Sequence, residues 1–114
     1  MTVKGFYTKL VGVSFLNNNG SSRQSLLNRF QDISEENPLS LYLERDTENA
    51  HDPNAIAVFT AEGEQLGYLS RKINAIVAPW LAHGENVFIE GVCITGGFPG
   101  HLGLNIWLEK RRAA

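Results

Sequence analysis

The stretch Asn49-Ala50-His51-Asp52-Pro53-Asn54-Ala55-Ile56-Ala57-Val58-Phe59-Thr60-Ala61-Glu62-Gly63-Glu64-Gln65-Leu66-Gly67-Tyr68-Leu69 decides how the chain is read. It runs from a polar turn into an apolar strand, through a Glu-Gly turn and into a second short strand. Asp-Pro-Asn is a turn with a mechanism. Asp52 can accept hydrogen bonds from nearby backbone N–H groups, Pro53 fixes φ, and Asn54 tolerates unusual backbone angles. Beyond the turn, Ile56, Val58 and Thr60 point one way while Ala55, Ala57 and Phe59 point the other. Both sets are mostly apolar, so this strand is expected to be covered on both faces. A rigid polar turn feeding a buried strand is a way for a fold to present a site.

Working outward, Glu62-Gly63 predicts a tight hairpin into Gln65–Leu69. Ser70 then caps a helix whose apolar stripe is Ile73, Ile76, Val77, Trp80 and Leu81. Pro79 is expected to kink or tighten its last turn and Gly84 to stop it. Residues 87–95 read as a strand, with Val87, Ile89, Gly91 and Cys93 on one side and Phe88, Glu90, Val92 and Ile94 on the other. Cys93 is expected there as a small buried hydrophobe. A glycine-rich loop, 96–100, leads to a last strand over 102–110.

On the N-terminal side, residues 6–15 read as the first strand, with Gly12 marking a bulge or a close backbone approach. Asn17-Asn18-Asn19-Gly20 is a loop, and Ser21 or Ser22 caps a helix running to about Gln31. Leu26, Leu27, Phe30 and Ile33 would form its buried face, with Arg23, Gln24, Asn28 and Arg29 towards solvent. Residues 39–44 alternate as a half-buried strand. About six strands and two short helices predict a mainly β (α+β) domain: a small, curved, barrel-like antiparallel sheet of the oligonucleotide-binding kind.

Composition bounds the function. At 114 residues the chain is one domain, large enough to bury a core without metal or disulfide staples. Its 43% hydrophobic and 19% charged content are ordinary for a globular protein. Ten basic and twelve acidic residues leave a formal charge of −2, so any nucleic-acid site would need a local basic patch. A single cysteine excludes an internal disulfide. No signal peptide and no long apolar run is present, which predicts a cytoplasmic domain away from membranes.

The side chains give little sign of catalysis. His51, His83, His101 and Cys93 lack metal-ligand spacing, so neither a metal nor a cofactor is expected. No nucleophile–base spacing is apparent, and Gly96-Gly97 lacks the Gly-Lys-Ser/Thr of a phosphate loop. His51 and Asp52 are adjacent, and neighbours on a strand or turn point apart, so they make a poor acid–base pair. A non-enzymatic binding module is the expectation. Phe15 and Tyr68 read equally well as core or as exposed platforms. Arg71 and Lys72 oppose the dipole at a helix start, a placement that favours an anion-binding role.

Residues 49–58 followed by Gln65-Leu66-Gly67-Tyr68-Leu69, together with Val11-Gly12-Val13-Ser14-Phe15, resemble the signature of the HIRAN domain family. The resemblance spans residues 8–110 and leaves 111–114 as a tail. It implies an oligonucleotide-binding-like barrel that grips the 3′ end of single-stranded DNA, a DNA-repair setting, and a nuclease or helicase as partner protein. By matching position it would make Phe15 a stacking platform and Asp52 the acceptor of the terminal 3′-hydroxyl. His51 stands where the family can use an aromatic, Tyr68 and Arg71 would meet bases or phosphates, and Phe98 would be a second stacking residue. Ser14 stands where DNA-binding members carry a basic residue, so affinity should lean on stacking more than on phosphate contacts. The alternative is a protein-interaction module that keeps the fold without binding DNA. The oligomeric state is open.

Overall fold

The computed structural model describes residues 3–33, 41–97 and 100–111. Its elements are β1 (Val3–Lys9), α1 (Arg23–Ile33), β2 (Leu41–Arg45), β3 (Ile56–Thr60), β4 (Gln65–Tyr68), α2 (Arg71–Ala82), β5 (Asn86–Gly96) and β6 (Leu102–Arg111). The strands form two three-stranded antiparallel sheets, ordered β1-β6-β5 and β2-β3-β4. Together they are barrel-like but not closed. Leu10, Leu27, Ile56, Val58, Leu66, Leu69, Val77, Leu104, Ile106 and Leu108 fill the space between them, each at most 1% exposed. The deciding strand behaves as its sequence requires: Ile56, Ala57 and Val58 are all buried, so β3 is covered on both faces.

The sheets are joined where the apolar run 6–15 stops being one strand. β1 ends at Lys9, and Leu10 N–H still reaches the Leu104 carbonyl of β6. One residue later Val11 exchanges two backbone hydrogen bonds with Tyr68 of β4, at 2.8 and 2.9 Å. The run is therefore a crossover from one sheet to the other, and Gly12, at φ +73°, turns the chain away. The expected strand over 6–15 is corrected to this shorter strand and bridge.

A second correction concerns β5. Ile89 pairs with Leu108 and Gly91 with Trp107, so Glu90 is one residue too many. This bulge reverses the alternation beyond it. Val87 and Ile89 pack on the core before the bulge, and Val92 and Ile94 after it, while Cys93 is exposed rather than buried. Cys93 is accordingly expected to react completely with a maleimide or a disulfide reagent in the native protein, without denaturant. Protection of the thiol until the protein is unfolded would contradict the bulged register.

The helices also differ in detail from their patterns. In α1, Leu26 and Leu27 are buried as expected, but so is Arg23, and Gln24 is half-buried. The Gln24 side chain donates to the carbonyls of Val13 and Leu102 and accepts from Leu102 N–H, tying three segments together. In α2 the buried face centres on Asn74, Val77 and Ala78, whereas Ile76 is 45% exposed. Ser70 caps the helix through its hydroxyl, as predicted. Pro79 is accommodated within the last turns of α2, which continues to Ala82. Gly84, at φ +72°, ends the unit by donating to the Leu81 carbonyl. No helix among the described residues is long and apolar enough to cross a membrane.

Candidate nucleic-acid interface

The polar turn is closed by its own side chains. Asn49 Oδ1 accepts from the backbone N–H of His51 at 2.8 Å and of Asp52 at 3.0 Å. Asp52 Oδ1 accepts from Asn54 N–H at 2.9 Å, and the Asp52 carbonyl accepts from Ala55 N–H. The turn is then fixed to the start of α2 by two further bonds. Asn74 Nδ2 donates to Asp52 Oδ2 at 2.9 Å, and Arg71 Nη2 donates to the His51 carbonyl at 2.7 Å. Asp52 thus holds one oxygen on its turn and the other on the helix. Each carboxylate oxygen has a second lone pair, so the group can still accept from a ligand.

These contacts set its charge state. The Asn74 amide, the Asn54 N–H and the nearby Arg71 guanidinium hold the Asp52 carboxyl below the usual carboxylate range, against a smaller opposing effect of desolvation. Asn74 is 2% exposed, and its Oδ1 is buried without a hydrogen-bond partner. Sequence reasoning missed Asn74, because a polar residue at a core-facing helical position looks like a break in the stripe. Such a break is itself a signal that a buried partner waits opposite.

A second group of residues gathers around Gly12. A Cβ placed on Gly12 would lie 3.2 Å from Arg23 Nη1, 3.6 Å from Phe15 Cδ2 and 3.8 Å from Tyr68 Cδ2. Phe15 is 65% exposed, which makes it a surface ring and not a core residue. Tyr68 is half-buried, its hydroxyl donating to Asp46 Oδ2 at 3.0 Å, and the Arg23 guanidinium lies 5.6 Å from its ring centre. Asp46 in turn supports the polar turn, its carbonyl accepting from Asn49 N–H. A continuous path of contacts therefore runs from Phe15 and Gly12 through Tyr68, Asp46 and Asn49 to Asp52, Asn74 and Arg71.

Of the six residues expected at the site, Phe15, Tyr68, Asp52, His51 and Arg71 lie along this path, with His51 and Arg71 exposed. Phe98 lies outside the described residues. Beside Tyr68, a polar cleft of about 230 Å³ is lined by Glu44, Arg45, Asp46, Phe59 and Gln65 among others. No group of three or more His, Cys, Asp or Glu side chains that could hold a metal occurs among the described residues.

Comparisons with known proteins bear on the fold and the family. The chain resembles the crystal structure of a protein from Lactobacillus plantarum, with a TM-score of 0.63 and 21% identity over 96% of this chain and 98% of that one. It also resembles the crystal structure of the HIRAN domain of human HLTF, with a TM-score of 0.56 and 18% identity over 94% of this chain and 76% of that one. No curated protein matches it. The family model for the HIRAN domain matches residues 4–109, which include the turn, the crossover and both helices, and the chain belongs to the HIRAN domain family.

Proposed function

We propose that the chain is a non-catalytic module that binds single-stranded DNA at its 3′ end. Membership of the HIRAN family, a DNA-binding module, supports nucleic-acid binding. The observation that carries the finer reading is the state of Asp52, an ionised carboxylate oriented from both sides and joined by a chain of contacts to the exposed Phe15 ring. A carboxylate repels phosphate but accepts well from a hydroxyl, so it separates a chain end from an internal nucleotide. Phe15 supplies a stacking face that needs no particular base. His51, Tyr68 and Arg71 line the approach, and a nuclease or helicase working on the same DNA is the partner this reading calls for.

The test is fluorescence anisotropy at low salt with oligonucleotides ending in a 3′-hydroxyl or a 3′-phosphate. Wild type is expected to prefer the hydroxyl, and Asp52→Asn to lose about tenfold of that preference, the difference between a charged and a neutral acceptor. The variant should fold, because the Asn74 amide can turn its unpartnered Oδ1 towards the new donor. Absence of DNA binding, or equal affinity for both ends, would sink the reading.

The depressed acidity of Asp52 adds a pH prediction. A carboxyl whose folded pKa lies below its unfolded value of ~3.9 stabilises the protein fully above that value, and the contribution is lost as pH falls through the folded pKa. Acid unfolding curves of wild type and Asp52→Asn should therefore run parallel above about pH 5 and converge below about pH 4. A constant offset down to pH 2 would contradict this.

A protein-interaction role is the second reading. It is favoured by a groove of about 340 Å³ where the sheets do not close, lined by Leu41, Tyr42, Val87 and Phe88 among others. DNA affinity of wild type no better than that of Asp52→Ala would support it.

A further inference from the structure

We propose that Arg23 is a phosphate anchor, its guanidinium holding a backbone phosphodiester of the strand whose base stacks on Phe15. The proposal rests on the reading of the chain as a single-stranded DNA binder and adds a residue and a ligand group to it. Arg23 opens α1 and is 6% exposed, an unusual burial for a group that never loses its charge. Its Nε donates to Asn17 Oδ1 and its Nη1 to the Gly12 carbonyl, both at 2.8 Å. Both acceptors are neutral. The ion pairs among the described residues, Arg29–Glu64 and Lys110–Glu85, do not involve it.

A buried cation without an anion is costly, and tying loops together does not require one. Gln24, the next residue, ties Val13 to Leu102 with a neutral amide. Among the described residues the Arg23 charge meets the face of Tyr68, 5.6 Å from the ring centre, and forms no ion pair with a carboxylate. Nη2 has no acceptor among the described residues, and it is not among the fully buried unpaired atoms, so it reaches the surface. That surface adjoins the stacking platform, because Gly12 lacks the side chain that would separate Arg23 from Phe15 and Tyr68. A phosphate there would meet a charge already desolvated and held in place, the condition under which arginine binds anions best.

The experiment measures anisotropy of a labelled oligonucleotide with a free 3′-hydroxyl, across a salt series, for the full chain and for Arg23→Gln and Arg23→Lys. Arg23→Gln is expected to weaken binding about tenfold and to reduce the slope of log affinity against log salt by about 0.7, one phosphate contact on a single strand. Arg23→Lys should keep the slope and lose part of the affinity. In parallel, a single neutral methylphosphonate is moved along the last linkages. One position should weaken wild type and leave Arg23→Gln indifferent, and in wild type and Arg71→Gln alike it should cost the same factor. If Arg23→Gln does not fold, the linkage series is read in Arg23→Lys, where the sensitive position must persist. An unchanged salt slope in folded Arg23→Gln overturns the proposal, as does a series in which no linkage matters. Loss of the Arg23 effect with the 3′-hydroxyl preference intact removes this inference alone, whereas absence of any DNA binding removes the underlying reading.

Discussion

Gly67→Val is expected to lower the melting temperature further than any surface change in this chain. Gly67 is buried in β4, and a Cβ there would lie 2.7 Å from the Val11 carbonyl oxygen, with Val13 Cγ1 at 3.3 Å and Leu10 Cβ at 3.6 Å. The nearest atom is backbone and cannot swing aside. It also accepts the Tyr68 N–H bond that joins the two sheets. Even Gly67→Ala must push the crossover away, a cost of about 3 kcal/mol at the upper end of overpacking. Valine adds two further methyls to the same space. Against a small-domain stability of roughly 5–15 kcal/mol, a fall in melting temperature on the order of 10 °C for alanine, and more for valine, is expected. Thermal melts by circular dichroism check it. Gly63→Ala is the control, because its Cβ meets nothing and its φ of +84° makes it a backbone-strain case of about 1 kcal/mol. Equal melting temperatures for the two alanine variants would refute the steric account.

Phe15→Ala should produce the opposite profile, a large loss of binding with little change in folding. The ring is 65% exposed, so its removal should change stability by no more than about 0.5 kcal/mol. A base stacked on it is worth roughly 1–3 kcal/mol, which corresponds to about a 5- to 150-fold loss of DNA affinity. Phe15→Trp should keep or improve binding through its larger face. Titration of the same oligonucleotide with each variant, beside a melt of each, decides it. A folded Phe15→Ala protein with wild-type affinity would move the stacking site elsewhere.

Much of this was legible in the residues. The buried strand β3, the Glu62-Gly63 hairpin, the Ser70 cap and the self-closed polar turn follow from local chemistry, in which the partners lie within a few positions of one another. What failed to show depends on distant partners. Arg23 looks like a solvent residue until Asn17 and the Gly12 carbonyl are brought beside it. Asn74 looks out of place until Asp52 arrives opposite, and Tyr68 finds its acceptor in Asp46, 22 positions upstream. The site's residue types could be read from the motif, but its electrostatics could not. Those are set by the long-range contacts.

The bulge at Glu90 has a consequence for how this chain can vary. Up to Ile89 the odd-numbered positions of β5 carry the core, and beyond it the even-numbered ones do. Glu90 acts as a phase shift between two half-strands written in opposite parity. At the same length without the bulge, Val92 and Ile94 would face outward and Gly91 and Cys93 inward, whereas deleting Glu90 itself would close the ladder with Gly91 still opposite Trp107 and Val92 still opposite Ile106. Replacing it leaves the parity intact. At this position the chain can change length without changing which side chains face the core, so a variant lacking Glu90 should keep Val92 and Ile94 inside.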